Sequence, residues 1–544
     1  MTTTQPSHHG SDEGGVDEYG YNQKLDRSIG KFASFAAGVS YISILTGVFG
    51  LFYVGFGTGG PAYAWSWPMV FVGQLMVALC FAELASRYPV AGSVYNWAKK
   101  LASPTTSWMA GWLLLTSSIV TVGAVALAYQ ITLPQIWSGF QIVGDGTGEH
   151  DFSLNGVLLA GALIVFTTLV NAFGVKLTAL INSVGVFVEL IAAVLLVIIL
   201  GVHVVRGPGV LLETHGLGEG HSLGYFGVFL VASLASAWVM YGFDTASSLG
   251  EETKDPKKTA PRAIIRAITA SFLLGGAILF FGILAAPDLS DPQLGSPSGG
   301  LQYVILSLLG GTLGKLFLIC IAVAITVCTL AIQAAAVRMV FAMARDNNLP
   351  CGRWLAHVHP ERKTPANASI TVGVLAIAIL VLMITQPQIY VVLSAIGIVL
   401  IYAAYLLVTG PMLRNRLRGR WPLPGAPAQD EFSLGRPLGL VVNAIAVVWG
   451  AAMIVNLVWP RAEVYNPAAP FHWYLQWSGV LIPALLTVGG LVLYRVRIRH
   501  RTGILAEHAA VVTPASSGPA SQAPLETDLS EPSDVDPVEP VQRV

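Results

Sequence analysis

SLASAWVMYGFDTASSLGEETKDPKKTAPRAI, residues 233–264, is an apolar run with a break and an acid inside it, followed by dense charge. The apolar run begins near 225 and is long enough to cross a hydrocarbon core as a helix, which takes about 20 residues. Gly242 and Asp244 stand within it, and the charged stretch runs on to Arg266. A charge at the bilayer centre costs about 2.5 to 3.5 kcal/mol or more, so such a residue faces a cavity or a polar partner. The stretch reads as an interrupted transmembrane helix that ends in a charged loop. The rest of the 544-residue chain agrees, with 54% hydrophobic and 11% charged residues, against about 25% charged in soluble proteins.

Working outward, apolar runs of spanning length recur near 32–56, 66–88, 106–132, 154–173, 179–203, 225–249, 263–286, 313–342, 367–385, 388–409, 437–459 and 474–495. Twelve transmembrane helices and an all-α membrane protein are predicted. Most of these runs lack the polar face that a soluble helical protein would need. An inside N-terminus leaves Arg206, Lys315 and Arg461 outside and the other 27 of 30 basic residues inside. This is the asymmetry of the positive-inside rule, and an odd helix count would reverse it. Residues 1–31 are polar and show no secretory signal pattern, so a cytoplasmic tail at the plasma membrane is expected. Residues 502–544, rich in Ser, Pro and acid, are expected to be a disordered cytoplasmic tail. Cys80, Cys320 and Cys328 lie within apolar runs and Cys351 in an inner loop, which predicts no disulfide.

Thirty basic and thirty acidic residues cancel and are dispersed, which argues against a nucleic-acid partner. No HExxH, GxSxG or GxxxxGK[ST] motif occurs, so neither an enzyme nor an ATP-driven pump is indicated. The histidines, including those of loop 203–224, have no ligand spacing; no metal site and no cofactor are expected.

The first helix, SYISILTGVFGLFYVGFGTGGP at 40–61, is interrupted by Gly47, Gly50, Gly55 and Gly57. Taken together, GFD at 242–244 with EETKDPKKTAPRAI at 251–264, GGPAYAW at 59–65, AELASRYPVAGSVYNWA at 82–98 and RMVFAMARDNNLP at 338–350 resemble the amino acid/polyamine/organocation transporter superfamily. The match runs in order from about 32 to 409. Its wording is most similar to the bacterial and fungal GABA and choline permease branch. One departure stands out, because Leu45 occupies the place of the first glycine in the family's helix-one motif.

The resemblance implies a leucine-transporter-type 5+5 inverted repeat plus two extra helices: 32–203 as the first repeat, 225–409 as the second, and 437–495 as the added pair. It also implies that helices one and six are broken at mid-membrane. There a half-helix N-terminus attracts a carboxylate and exposed carbonyls receive an ammonium group. By position, Ser43, Ile44, Leu45, Thr46 and Gly47 form one half of the expected solute site, and Ala237, Trp238, Val239, Met240 and Tyr241 the other. Glu83 and Tyr95, with Glu251 and Glu252 among Lys254, Lys257, Lys258, Arg262 and Arg266, are expected to form an inner gate. Asp244 and Glu189 are the expected coupling residues. Glu189 stands midway along the fifth helix with no basic residue between Lys176 and Arg206. The resemblance aligns it where several proton-coupled relatives carry a lysine in place of a sodium site. The expected activity is import of an amino acid or related small amine, such as GABA, by alternating access with protons as the coupling ion. Amino-acid exchange, carriage of choline or a polyamine, and nutrient sensing without flux stay open at this level.

Overall fold

The computed structural model describes residue 19 and residues 30–146, 148, 150–248, 250–386, 388–421, 431–466 and 471–509. Ten helices are long and apolar enough to cross a membrane, and two shorter apolar helices complete a set of twelve among the described residues. In chain order they are α1, split into α1a (Lys31–Ile42) and α1b (Ile44–Gly59), α2 (Ser66–Arg87), α3 (Pro104–Ile136), α4 (Asp151–Phe173), α5 (Val175–Val202) and α6 (Gly224–Val239). There follow α7 (Pro256–Ala285), α8 (Gly300–Arg345), α9 (Ala366–Leu382), α10 (Ile389–Leu417), α11 (Pro437–Val458) and α12 (Ser478–Leu493). A short helix, Ser93–Leu101, lies between α2 and α3.

The pattern of each helix sets its place. In α5, Leu180, Val184, Phe187, Ile191, Leu195 and Ile198 recur at helical spacing and are exposed, while Val186, Glu189, Ala193, Leu196 and Leu200 on the other face are buried. That is an apolar face for lipid and an inward face that hides one acid. The best-covered helices are α1 (94% of its apolar window buried), α3 (89%) and α10 (83%); α11 (33%) and α12 (22%) lie at the rim. The heart of the bundle is therefore built around α1.

Two spans differ from the sequence expectation. The sixth helix was expected to run through 225–249, yet α6 ends at Val239 because the chain turns through Gly242 at φ +83°. The eighth was expected at 313–342, yet helix starts at Gly300, kinks at Gly310 (φ 70°, ψ −175°) and runs on to Arg345. Residues 501–509 pack on the far end of α8: Gly503 N–H donates to the Asp346 carbonyl (3.0 Å) and Leu505 N–H to that of Arg345 (2.8 Å). Residues 510–544 of the expected disordered tail, and nearly all of 1–29, lie outside the described residues.

Candidate functional site

The helix α1 breaks at one residue. Ser43 takes φ 41°, ψ 101°, and helix resumes at Ile44, so Ile44, Leu45, Thr46 and Gly47 form the first turn of α1b. A helix start leaves N–H groups without intrahelical partners and carries a partial positive charge. Here those donors have partners. The Gly47 N–H donates to the Ser43 carbonyl (2.9 Å), the Thr46 N–H to Ser43 Oγ (3.4 Å), and the Leu45 N–H to Glu189 Oε1 (3.1 Å). The Ser43 hydroxyl also donates to Glu189 Oε1 at 2.9 Å. The Glu189 carboxyl group, 1% exposed, thus caps the resumed helix, and its Oε2 has no hydrogen-bond partner among the described residues.

The second break faces the first. Ala237, Trp238 and Val239 are the last turn of α6, and Met240 and Tyr241 open the irregular stretch, which continues to Asp244. The expected break at 237–241 therefore begins three residues later, at 240. A Cβ at Gly47 would lie 2.8 Å from the Val239 methyls, and one at Gly242 would lie 1.9 Å from the Tyr41 ring. Only glycine permits this approach of the two broken helices, and at Gly242 the positive φ demands it as well. Gly242 N–H donates to the Tyr405 hydroxyl (3.0 Å). Tyr405 in turn donates to Asp244 Oδ1, and Ser93 donates to Oδ2 at 3.2 Å. Asp244 is thus tied to α10 and to the short helix before α3.

Aromatic rings cluster around the two breaks. Tyr241 packs edge-on to Tyr41 (6.1 Å between centroids) and to Trp238 (5.9 Å), and Trp238 edge-on to Tyr390 (6.3 Å). The hydroxyls of Tyr41 and Tyr390 are buried beside the two breaks. A cavity of about 260 Å³ reaches Tyr390 past Tyr53 and Phe152.

A set of ion pairs holds the end of the bundle that carries the charged loops. Glu251 and Glu252, expected among the lysines that follow them as part of an inner gate, find partners farther along the chain. They reach α8, where each takes an arginine in two parallel bonds: Glu251 with Arg345 (2.8 and 3.1 Å) and Glu252 with Arg338 (2.9 and 3.0 Å). Glu251 also accepts from the Ala91 N–H at 3.0 Å. Glu83 pairs with Arg416. Tyr95 donates to Asp346 (2.7 Å), which also binds Lys99 at 2.6 Å. Burial holds the Lys99 ammonium below the usual lysine range, with Asp346 opposing the shift. Arg338 and Arg345 are seven apart in a helix and share a face. That spacing is visible in RMVFAMARDNNLP, and it was the available signal for these partners. Nothing in the sequence marked Tyr405 or Ser93.

Comparison with known proteins agrees with this architecture. The amino acid permease family model matches residues 29–485. Amino-acid permease BAT1 of Arabidopsis thaliana is 28% identical over 474 residues, covering 82% of this chain and 88% of that protein. The low-affinity putrescine importer PlaP of Escherichia coli (strain K12) is 28% identical over 62% of this chain and 71% of its own length. The methylthioribose transporter of Bacillus subtilis (strain 168) is 30% identical over 66% and 75%. Among solved structures, that of MhsT in complex with L-phenylalanine covers 86% of this chain and 100% of its own, with a TM-score of 0.51 and 15% identity, a likeness of fold alone. That fold is the leucine-transporter type, with helices one and six broken. The relatives are transporters and not enzymes, and the chain belongs to the amino acid permease family of the amino acid/polyamine/organocation superfamily.

Proposed function

We propose that this permease imports an amino acid or related small amine together with a proton, by alternating access around the paired breaks. The observation that carries the reading is the Glu189 carboxyl group capping α1b through Ser43 and Leu45, with no basic residue on its own helix after Lys176. A charged carboxyl group within the span is costly and a protonated one is not. A solute carboxylate drawn to the same helix start competes with Glu189 for its donors, and two negative charges there repel. Protonation of Glu189 removes the conflict: the solute takes the donors, and its ammonium group meets the carbonyls and rings of the second break. Release of the proton on the other side lets Glu189 recapture the Leu45 N–H and expels the solute.

In this reading, residues 43–47 and 237–241 contact the solute. Asp244, with both oxygens engaged, secures the break, while Glu189 carries the proton. Glu83, Tyr95, Glu251 and Glu252, with their arginine and aspartate partners, form the inner gate, closed here. The bundle sits in the plasma membrane with both termini in the cytoplasm. Uptake by proteoliposomes tests the proposal. Accumulation of labelled GABA or another amino acid under an imposed pH gradient, with no internal solute, is expected. Uptake that requires internal solute, or that follows a sodium gradient at constant pH, would overturn the coupling.

A further inference from the structure

We propose that the groove between the start of α3 and the end of α10 binds the phosphate headgroup of an anionic phospholipid. Arg414, Arg418 and Arg420 converge on a cavity of about 330 Å³ that also takes in Ser103, Thr106 and Gly410. All three arginines are exposed, and no side-chain partner holds any of them among the described residues. Other arginines behave differently: Arg416, two residues from Arg414 and on the opposite side of the helix, is buried against Glu83, and Arg338 and Arg345 are each paired with a glutamate. Like charges four residues apart on a helix repel, so Arg414 and Arg418 are placed for an anion rather than for each other. The 33-residue helix α3 begins at the same cavity, with Ser103 as its cap, and adds the positive end of its dipole. The lining includes no carboxylate.

The shape favours a lipid over a free ion. Ala403, Leu407, Gly410 and Arg414 recur at the spacing of a single helix face. The first three are half-buried, and a Cβ at Gly410 would meet nothing within 4 Å. A half-buried apolar face thus continues from the cavity along α10, with open space beside Gly410 where an acyl chain can lie. Leu417, 69% exposed between Arg414 and Arg418, lies on the outside of the helix. Guanidinium groups above an apolar groove at a membrane face are the arrangement that recognises acidic headgroups.

Native mass spectrometry of the purified full-length protein with added phosphatidylglycerol or phosphatidylcholine tests this. The wild type is expected to retain phosphatidylglycerol selectively through detergent exchange. The triple variant Arg414→Gln, Arg418→Gln, Arg420→Gln should bind it about a hundredfold more weakly, since each surface cation contributes about 1 kcal/mol. The corresponding triple lysine variant should keep most of the binding and serves as the control for folding. Equal retention by wild type and the glutamine variant would overturn the proposal. So would displacement by millimolar inorganic phosphate, which would mark a small-anion site. So, too, would a wild type that binds no phosphatidylglycerol until Glu526, Asp528, Glu531, Asp534, Asp536 and Glu539 are neutralised, which would make the acidic tail the occupant.

Discussion

Glu189 of α5 and Leu45 of α1b are 144 residues apart in sequence and joined by one hydrogen bond, the Leu45 N–H donating to Glu189 Oε1 at 3.1 Å. Ser43 supplies the second donor to the same oxygen and accepts the Thr46 N–H as well. Ser43→Ala removes a helix cap and a carboxyl partner in one step. A cap of this kind contributes about 1 kcal/mol, and a hydrogen bond to a charged group about 1.5 to 3 kcal/mol. Solute uptake should fall at least tenfold with a folded protein in hand. Uptake at the wild-type rate would remove Ser43 from the site.

Trp238 stands at the last turn of α6 between the rings of Tyr241 and Tyr390. If it covers the solute, Trp238→Ala should weaken solute binding by tenfold to a hundredfold, about 1.4 to 2.7 kcal/mol, and change the melting temperature far less. Calorimetric titration beside a thermal melt compares the two. Unchanged affinity in a well-folded variant would make the ring packing material.

Gly242 is placed to be irreplaceable. Alanine there meets both a φ of +83° and the Tyr41 ring at 1.9 Å. Gly242→Ala should therefore fail to yield monodisperse protein or to transport. Gly47→Ala meets only the Val239 methyls at 2.8 Å and should keep the fold while losing part of the uptake. Size-exclusion profiles and uptake rates for the pair give the comparison, and a well-behaved, active Gly242→Ala would refute the close approach of the two breaks.

The twelve helices were legible because lipid imposes one rule along the whole chain, apolar runs of fixed length. The position of the second break was less so. Gly242 marked where the backbone turns, but the close approach of Val239 at the end of α6 to Gly47 of α1b is a contact between distant segments, and sequence does not show it. Glu189 was conspicuous as an acid without a base. Its partners are the Ser43 hydroxyl, 146 residues away, and a backbone N–H, which every residue carries and no sequence can single out. The arginines that take Glu251 and Glu252 lie 94 and 86 residues downstream, beyond the reach of any local pattern, while Lys257 beside them pairs with Glu431.

Those arginines permit a test of the gate. Removing one partner of a buried pair leaves an uncompensated charge and costs about 3 to 5 kcal/mol. Arg345→Ala and Glu251→Ala should each favour opening of that end, seen as faster thiol labelling at a cysteine introduced at Ser248. The double variant should cost less than the two singles combined, because the orphaned charge is gone. Additive effects would show that the pair does not act as a clasp.

The proton assignment rests on Glu189 alone and is tested there. Glu189→Gln retains an oxygen that can accept from Leu45 and Ser43, keeps the volume of the buried side chain, and removes the exchangeable proton. If coupling runs through this carboxyl group, the variant holds the neutral state permanently: solute meets no competing charge at α1b, so binding and solute-for-solute exchange persist. Accumulation against a gradient needs the deprotonated state to expel the solute, and should be lost. Counterflow in preloaded proteoliposomes should thus stay within about threefold of wild type, while uptake driven by a pH gradient drops to the leak level. At 1.36 kcal/mol for each factor of ten, that residual threefold corresponds to less than 1 kcal/mol and so to an intact fold. A variant that still concentrates solute as pH is stepped, with wild-type dependence on the gradient, would show that the proton travels by another group. Loss of counterflow together with uptake would point to a binding or structural role for Glu189.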